Sequence, residues 1–307
     1  MFEIYVDFEQ IEQNPKGKGK YMKTIITHSG AFHNDEVLAV AIIKMAHPNE
    51  KFKIIRTRDR EIIENGKLDD DTYVVDVGME YIPTMNVFDH HQTGWEGWFK
   101  PEFNRTPTAS CGQVWKHLGY AICNYNGELY DKVYENLIEE VDRQDNGLDP
   151  IGRGPQFQVT GFNPSWNDDS NGDEEFLVAV DIAAQFLNAA IKRQSALLEA
   201  SNLHESTLKS QKEEDKGLFI MNTYYPWTSY LVGDHPYTFV VYPRRDGDWA
   251  IQSIPTGEGF ENKGSLPKSW IEGPVEDMIF CHKALFIASF TTRERAIEMA
   301  KEAIALL

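Results

Sequence analysis

Histidines and aspartates recur through the first half of this 307-residue chain in a pattern that suits divalent-metal chemistry. His28, His33 and Asp35 fall within THSGAFHNDE, Asp76 closes VVDVG, and Asp89, His90 and His91 form one run in FDHHQ. Imidazole and carboxylate without thiolate suit manganese, iron or zinc, with magnesium tolerated where carboxylates dominate. Two such ions ~3.5–4 Å apart can share a bridging carboxylate, clamp a phosphoryl group and lower the pKa of an attacking water. Asp76 is the expected bridge. Asp142 and Asp145, three residues apart near a helix end, can face one way. One of them is expected to complete the set, and Asp142 is favoured. His91, with Asp89 beside it, is the candidate to steady the phosphoryl oxygens or protonate the leaving group. Arg56 and Arg58 in IIRTRD could hold a neighbouring phosphate, although surface salt bridges explain them equally well.

These residues must be delivered by particular elements. TIITH at 24–28, KFKIIRT, DTYVVDVG and NVFDHH read as strands, and a helix runs from Asp35 until Pro48 stops it. Strands interleaved with helices at this spacing indicate βαβ units and a parallel sheet. Ligands in such sheets bind outside the carboxyl ends of the strands, so three strand ends would bring His28, Asp76 and the DHH run to one edge. ASCGQVWKHLG is a helix expected to end at Gly119. LYDKVYENLIEEVDRQDNG is a second, with Val133, Leu137, Ile138 and Val141 on one face and a stop at Asn146–Gly147. The Gly-, Pro- and Asn-rich loop at 147–172 is long enough to cover a site.

The expected organisation is an α/β chain of four parts. Residues 1–22 are an irregular leader without the features of a secretion signal. Residues 23–172 are a metal-binding catalytic domain, 173–213 a helical linker, and 214–307 a smaller α/β domain. The last part holds four strand candidates, GLFIMN, YTFVVYP, WAIQSIP and DMIFCH, and a closing helix.

Composition narrows the functions. Hydrophobic residues make up 41% and charged residues 25%, as in a soluble globular protein. No apolar run approaches the ~20 residues of a membrane helix, and a cytoplasmic location is expected. Cys111, Cys123 and Cys281 are odd in number and widely spaced, which argues against a disulfide framework or a thiolate zinc site. The formal charge of −18 disfavours a broad duplex-binding surface, yet bound cations would still admit a phosphate ester. Of the seven tryptophans, Trp95 and Trp98 are best placed for base stacking, with core packing the commoner role.

The DHH run behind a strand, with an upstream aspartate and an N-terminal His/Asp cluster, resembles the DHH phosphoesterase superfamily. More narrowly, the chain is similar to its MYG family, described as metal-dependent RNA exonucleases and formerly as metal-dependent protein hydrolases. The likeness runs through THSGAFHNDEVLA, IIRTRD, VVDVG, FDHHQ, YENLIEEVDRQDNG, GFNPSWN, WAIQSIP, LPKSW and IFCH. It implies that His28, His33, Asp35, Asp76, His90 and Asp142 hold two divalent ions, manganese first among them, with His91 nearer the substrate. It implies a 3′–5′ exonuclease acting on short single-stranded RNA, with Arg56, Arg58, Asp145, Asn163, His282 and Lys283 as substrate contacts. The chain departs from the family after His282, where HKALFIASFTT lacks a glycine-rich stretch, and at Ala250, where a basic residue is expected. A metal-dependent amidohydrolase and a non-catalytic interaction module are the competing readings. Neither a membrane nor long duplex nucleic acid is an expected partner, and an oligomer is compatible with the pattern.

Overall fold

The computed structural model describes residues 22–103, 105–148, 157–233, 235–257 and 261–307. The expected leader therefore lies, except for Met22, outside the described residues, as do residues 149–156 of the long loop. The chain divides into two compact units, with the boundary between Gln194 and Ser195. Among the described residues no helix is long and apolar enough to cross a membrane.

The first unit is built on a five-stranded sheet. Its strands are β1 (Met22–Thr27), β2 (Lys51–Arg56), β3 (Thr72–Val75), β4 (Tyr81–Ile82) and β5 (Val87–Phe88), in the order β2-β1-β3-β5-β4. The first three and β5 run parallel, and β4 is an antiparallel edge strand. The β-branched residues Ile25, Ile26, Val74, Val75 and Val87 are at most 3% exposed, as expected when both faces of a parallel sheet are covered. Adjacent strands β1, β3 and β5 end immediately before His28, Asp76 and Asp89, so the expected convergence of strand ends is present.

Helix α1 (Asn34–Ala46) is buried from Asn34 through Ile43, which explains a sequence that is apolar on nearly every side. Helix α2 (Arg60–Lys67) was not among the expected elements: of its residues only Ile63, Gly66 and Lys67 are buried, so a single large apolar side chain marks its inner face. It starts where the Asp59 carboxylate accepts hydrogen bonds from the Glu61 and Ile62 amides. Helix α3 (Ser110–Ile122) runs three residues beyond Gly119, whose missing side chain leaves room for the Trp115 ring. Helices α4 (Gly127–Val133) and α5 (Glu139–Asp145) are joined by one π-helical turn over Tyr134–Ile138. The stop at Asn146–Gly147 is as expected: Gly147 takes a φ of +67°, and the Leu148 amide returns to the Arg143 carbonyl. Helix α6 (Asp173–Lys209) spans the boundary between the units.

The second unit holds β6 (Leu218–Ile220), α7 (Thr228–Leu231), β7 (Phe239–Pro243), β8 (Trp249–Ser253), α8 (Ser269–Glu272), β9 (Met278–Cys281), β10 (Ile287–Phe290) and α9 (Arg293–Ala305). Its sheet order is β6-β7-β8-β10-β9. Only β6 and β7 are parallel. Strand β10 was unexpected: the glycine-free stretch after His282 turns back and pairs with both β8 and β9. Alternate residues of β7 pack on the two faces, Phe239 and Val241 with α9, and Val240 and Tyr242 with Trp227 and Leu231.

Gly66 sets how closely α2 approaches the first sheet, because a Cβ there would lie 2.4 Å from Ile26 Cδ1 and 3.3 Å from Thr72 Cγ2. Gly66→Ala is expected to overpack this contact and cost about 1–3 kcal/mol, read as a lower denaturant midpoint. An unchanged midpoint would mean that α2 shifts outward freely.

Candidate metal centre

Three groups of ligand-type side chains meet at the strand ends of the first unit. His28, His33, Glu36 and Asp76 form one, Asp76, Asp89, His90 and His91 a second, and His33, Asp35 and Asp145 a third. Asp76 is common to the first two, and His33 links the first to the third. Within each group the candidate atoms lie within 4.8 Å of one another.

The chain sets these positions with local devices. Asp76 has a φ of +56°, a left-handed conformation costly for a non-glycine residue and concentrated at functional sites. Its Oδ1 accepts a hydrogen bond from Ser110 Oγ at 2.9 Å and lies 3.5 Å from Nδ1 of both His90 and His91. His28 Nε2 is 3.0 Å from Glu36 Oε1 and 3.4 Å from Asp76 Oδ2. Burial opposes a charge on His28, but hydrogen bonds to Asp76 and Glu36 outweigh it and raise the ring to about 10. His33 caps α1, and its backbone amide donates to the Glu36 carboxylate at 2.9 Å. His90 Nε2 is 2.7 Å from Asp145 Oδ2. Burial works against both ionised partners of this pair, yet their contact raises the imidazole and lowers the carboxyl.

Asp35 provides the test of whether this pocket suits cations. It is 1% exposed, and both carboxylate oxygens are buried without a hydrogen-bond partner. Burial, then repulsion from Asp76 and Asp145, pushes its carboxyl well above the usual range. An orphaned buried carboxylate facing others is the arrangement that a cation relieves. The donor set of imidazoles and carboxylates fits the divalent ions expected from sequence.

Several assignments change when the residues are placed. Asp142 does not belong to any of these groups. Its Oδ1 accepts from the Ala109 and Gly112 amides at 2.9 and 3.1 Å and from the Cys111 thiol, and its Oδ2 accepts from Tyr134 Oη at 2.8 Å. The choice between the two helix-end aspartates therefore reverses, with Asp145 at the cluster and Asp142 in the α3–α5 packing. Asp89 is engaged by the Met79 amide at 2.6 Å and by both the backbone and Nδ1 of His91 at 3.0 and 2.7 Å. It is a positioning group for His91, whose side chain is 52% exposed. Arg56 is not free for a phosphate: it pairs with Asp173, bonds to the Asn171 and Gly30 carbonyls and lies over the Phe32 and Phe176 rings. Arg58 is exposed and reaches His28 Nδ1 at 3.3 Å. Asn163 grips both backbone groups of Phe32 at 2.8 and 2.7 Å, fixing the turn before His33 rather than facing open solvent. His282 and Lys283 lie in the β9–β10 turn of the second unit.

Sequence reasoning missed four contributors. Glu36 adjoins Asp35 in the quoted HNDE and could have been read as a further acid on the same turn. Ser110 and Asn34 carry no ligand signature. Asn34 ties α1 to Gln144, next to Asp145, at 2.8 Å. Lys67 is 7% exposed and donates to the Gly78 carbonyl and Glu80 at 2.8 and 2.7 Å, bracing the turn that follows Asp76.

The family model described as Uncharacterised protein family (UPF0160), labelled MYG1 exonuclease, matches residues 24–304. The human MYG1 exonuclease is 31% identical over an alignment covering 97% of this chain and 90% of that protein. A MYG1 protein of Schizosaccharomyces pombe is 29% identical over 91% of this chain and 97% of its own length. Among solved structures, RecJ from Thermus thermophilus in complex with Mn2+ is similar at a TM-score of 0.30 and 12% identity, covering 92% of this chain and 51% of that one.

Two expectations separate the helix-end aspartates. Asp145→Asn should weaken Mn2+ binding roughly 10- to 100-fold, as changes around metal ligands do, while Asp142→Asn should leave the bound-metal stoichiometry intact. Equal losses in titration calorimetry would refute the distinction. Asp142 should instead report on stability. Burial lifts it to about 7, although hydrogen bonds from Tyr134, Ala109, Cys111 and Gly112 oppose the shift. The folded chain thus keeps a proton that the unfolded chain releases above about pH 4. Its contribution is full below that value and is lost as pH rises through about 7, an effect on the order of a few kcal/mol. Asp142→Asn should flatten this slope in denaturant titrations between about pH 4 and 8.

Proposed function

The chain belongs to the MYG1 family, and from that premise we propose that it is a metal-dependent phosphodiesterase that removes nucleotides from the 3′ end of short single-stranded RNA. The observation that carries this reading is the overlap of ligand groups at the ends of β1, β3 and β5, where Asp76 is shared and Asp35 presents two unpartnered carboxylate oxygens. The name of the human relative, an exonuclease, supports phosphodiester rather than amide bonds as the target.

His28, His33, Asp35, Asp76, His90 and Asp145 would hold two divalent ions, with Glu36 beside the first and manganese a good match to the donors. Such ions supply Lewis acidity at the phosphoryl oxygens and a water of lowered pKa. The remaining work falls to the chain's own groups. Asp89 and the Met79 amide fix the His91 ring through Nδ1, so Nε2 is the edge offered to the leaving oxygen, as a general acid requires. Arg58, exposed and next to His28, supplies a guanidinium to the neighbouring phosphate.

Asp76→Asn should reduce Mn2+-dependent release of mononucleotides from a short oligoribonucleotide by about 100-fold or more, at or beyond the upper end of losses from changes near a metal site. EDTA should abolish release by the unmodified protein, and added Mn2+ should restore it. Undiminished release by the Asp76→Asn protein would reject the shared-carboxylate role.

A further inference from the structure

Trp166 is 97% exposed. Tryptophan is highly buried on average, and a bare indole leaves some 150–250 Å² of aromatic surface available for contact. Phe162, four residues earlier, is 42% exposed. Between them stands Asn163, whose side-chain amide holds the Phe32 backbone from both sides and also donates to the Thr160 carbonyl at 3.0 Å. Phe32 is directly followed by His33 of the metal centre.

The far end of the same segment is fastened to the same turn. Arg56 bonds to the Asn171 carbonyl at 3.3 Å and to Asp173 at 3.2 Å while also donating to the Gly30 carbonyl. Gly172 packs so closely on Pro164 that an added Cβ would lie 3.2 Å from its ring. Residues 160–173 are thereby clipped at both ends to the turn carrying His33. Trp166 Cα is at most roughly 11 Å from that of Asn163, given the reach of three residues.

We propose that Trp166, assisted by Phe162, is a stacking platform for a base of the single-stranded substrate, a short distance along the strand from the bond being cut. The inference rests on the phosphodiesterase reading above. Stacking is available to any base, because each has a π-face. The local charge selects the base rather than the backbone: Asp168 and Asp169 follow Trp166, are exposed, and repel a phosphate while leaving a neutral base face unopposed. Trp95 and Trp98, named together from sequence, are less suited: Trp98 is only 40% exposed, and Trp95 is held in place. Its Nε1 donates to the Thr108 carbonyl at 2.8 Å, and its ring meets Tyr81 edge-on at 5.2 Å.

The test compares the unmodified protein with Trp166→Ala and Trp166→Phe on a short oligoribonucleotide and on an abasic oligonucleotide of equal length, each with Mn2+. The Ala variant should raise KM for the base-bearing strand roughly 5- to 150-fold, the range equivalent to 1–3 kcal/mol of stacking. The preference for base-bearing over abasic substrate in kcat/KM should fall by the same factor, and Trp166→Phe should recover most of it. The difference should persist from low to high salt, since no ion pair is involved. An unchanged preference in an active Ala variant overturns the platform alone. If the unmodified protein cleaves neither strand, the phosphodiesterase reading fails. Fluorescence anisotropy of the labelled oligoribonucleotide then decides the platform, and equal binding by the unmodified and Ala proteins, or none by either, rejects it.

Discussion

Five carboxylates, those of Asp35, Glu36, Asp76, Asp89 and Asp145, are gathered at one edge of the first sheet, four of them at most 4% exposed. Removing such groups from water is costly unless each finds a partner, and the cost rises when like charges face one another. The polypeptide relieves part of this with imidazoles: His28 takes Glu36 and Asp76, His90 takes Asp145, and His91 takes Asp89. Asp35 is left over. The site therefore holds more buried acceptors than protein donors, and divalent cations are the species that correct such a deficit while adding chemistry of their own.

The surrounding fold reads as apparatus for tolerating that deficit. Parallel strands β1, β3 and β5 place three ligand positions side by side, but the carboxylate between them is reached only through a left-handed Asp76. Lys67 and Gly78 hold the turn beyond it, and Ser110 satisfies Asp76 Oδ1 from the start of α3. From Lys67 the bracing continues through the same turn, via the Met79 amide to Asp89 and so to His91. Each support is a hydrogen bond to a group already committed in position, which is how ligands are kept oriented before a metal or substrate arrives.

Much of this was legible because it depends on short-range pattern. β-branched runs marked the strands of the first sheet, and residues directly after three of them were the ligand candidates. The distinctions that failed depend on direction. Asp142 and Asp145 are three apart on a helix, close enough for either to reach the cluster by spacing alone. The π-helical turn at Tyr134–Ile138 places an extra residue just before α5, and neither it nor the donors around Asp142 are apparent from apolar periodicity. Arg56 and Asn163 failed for a related reason, since their partners Asp173 and Phe32 lie more than a hundred residues away in sequence. In the second unit, β10 is only four residues long and follows closely on the turn after β9, so HKALFIASF carries little strand pattern of its own apart from its pairing with β8 and β9.

The chain's charge of −18 bears on the proposed reaction. At physiological ionic strength such a field decays over about 8 Å, so a long polyanion lying across the surface meets repulsion at many phosphates. A short strand entering end-on meets it at few. Cations at the strand ends would make attraction local to the reacting phosphate, and base stacking adds affinity without demanding a basic groove. On the proposed reading, an acidic protein would act on short single strands while remaining a poor ligand for long nucleic acid.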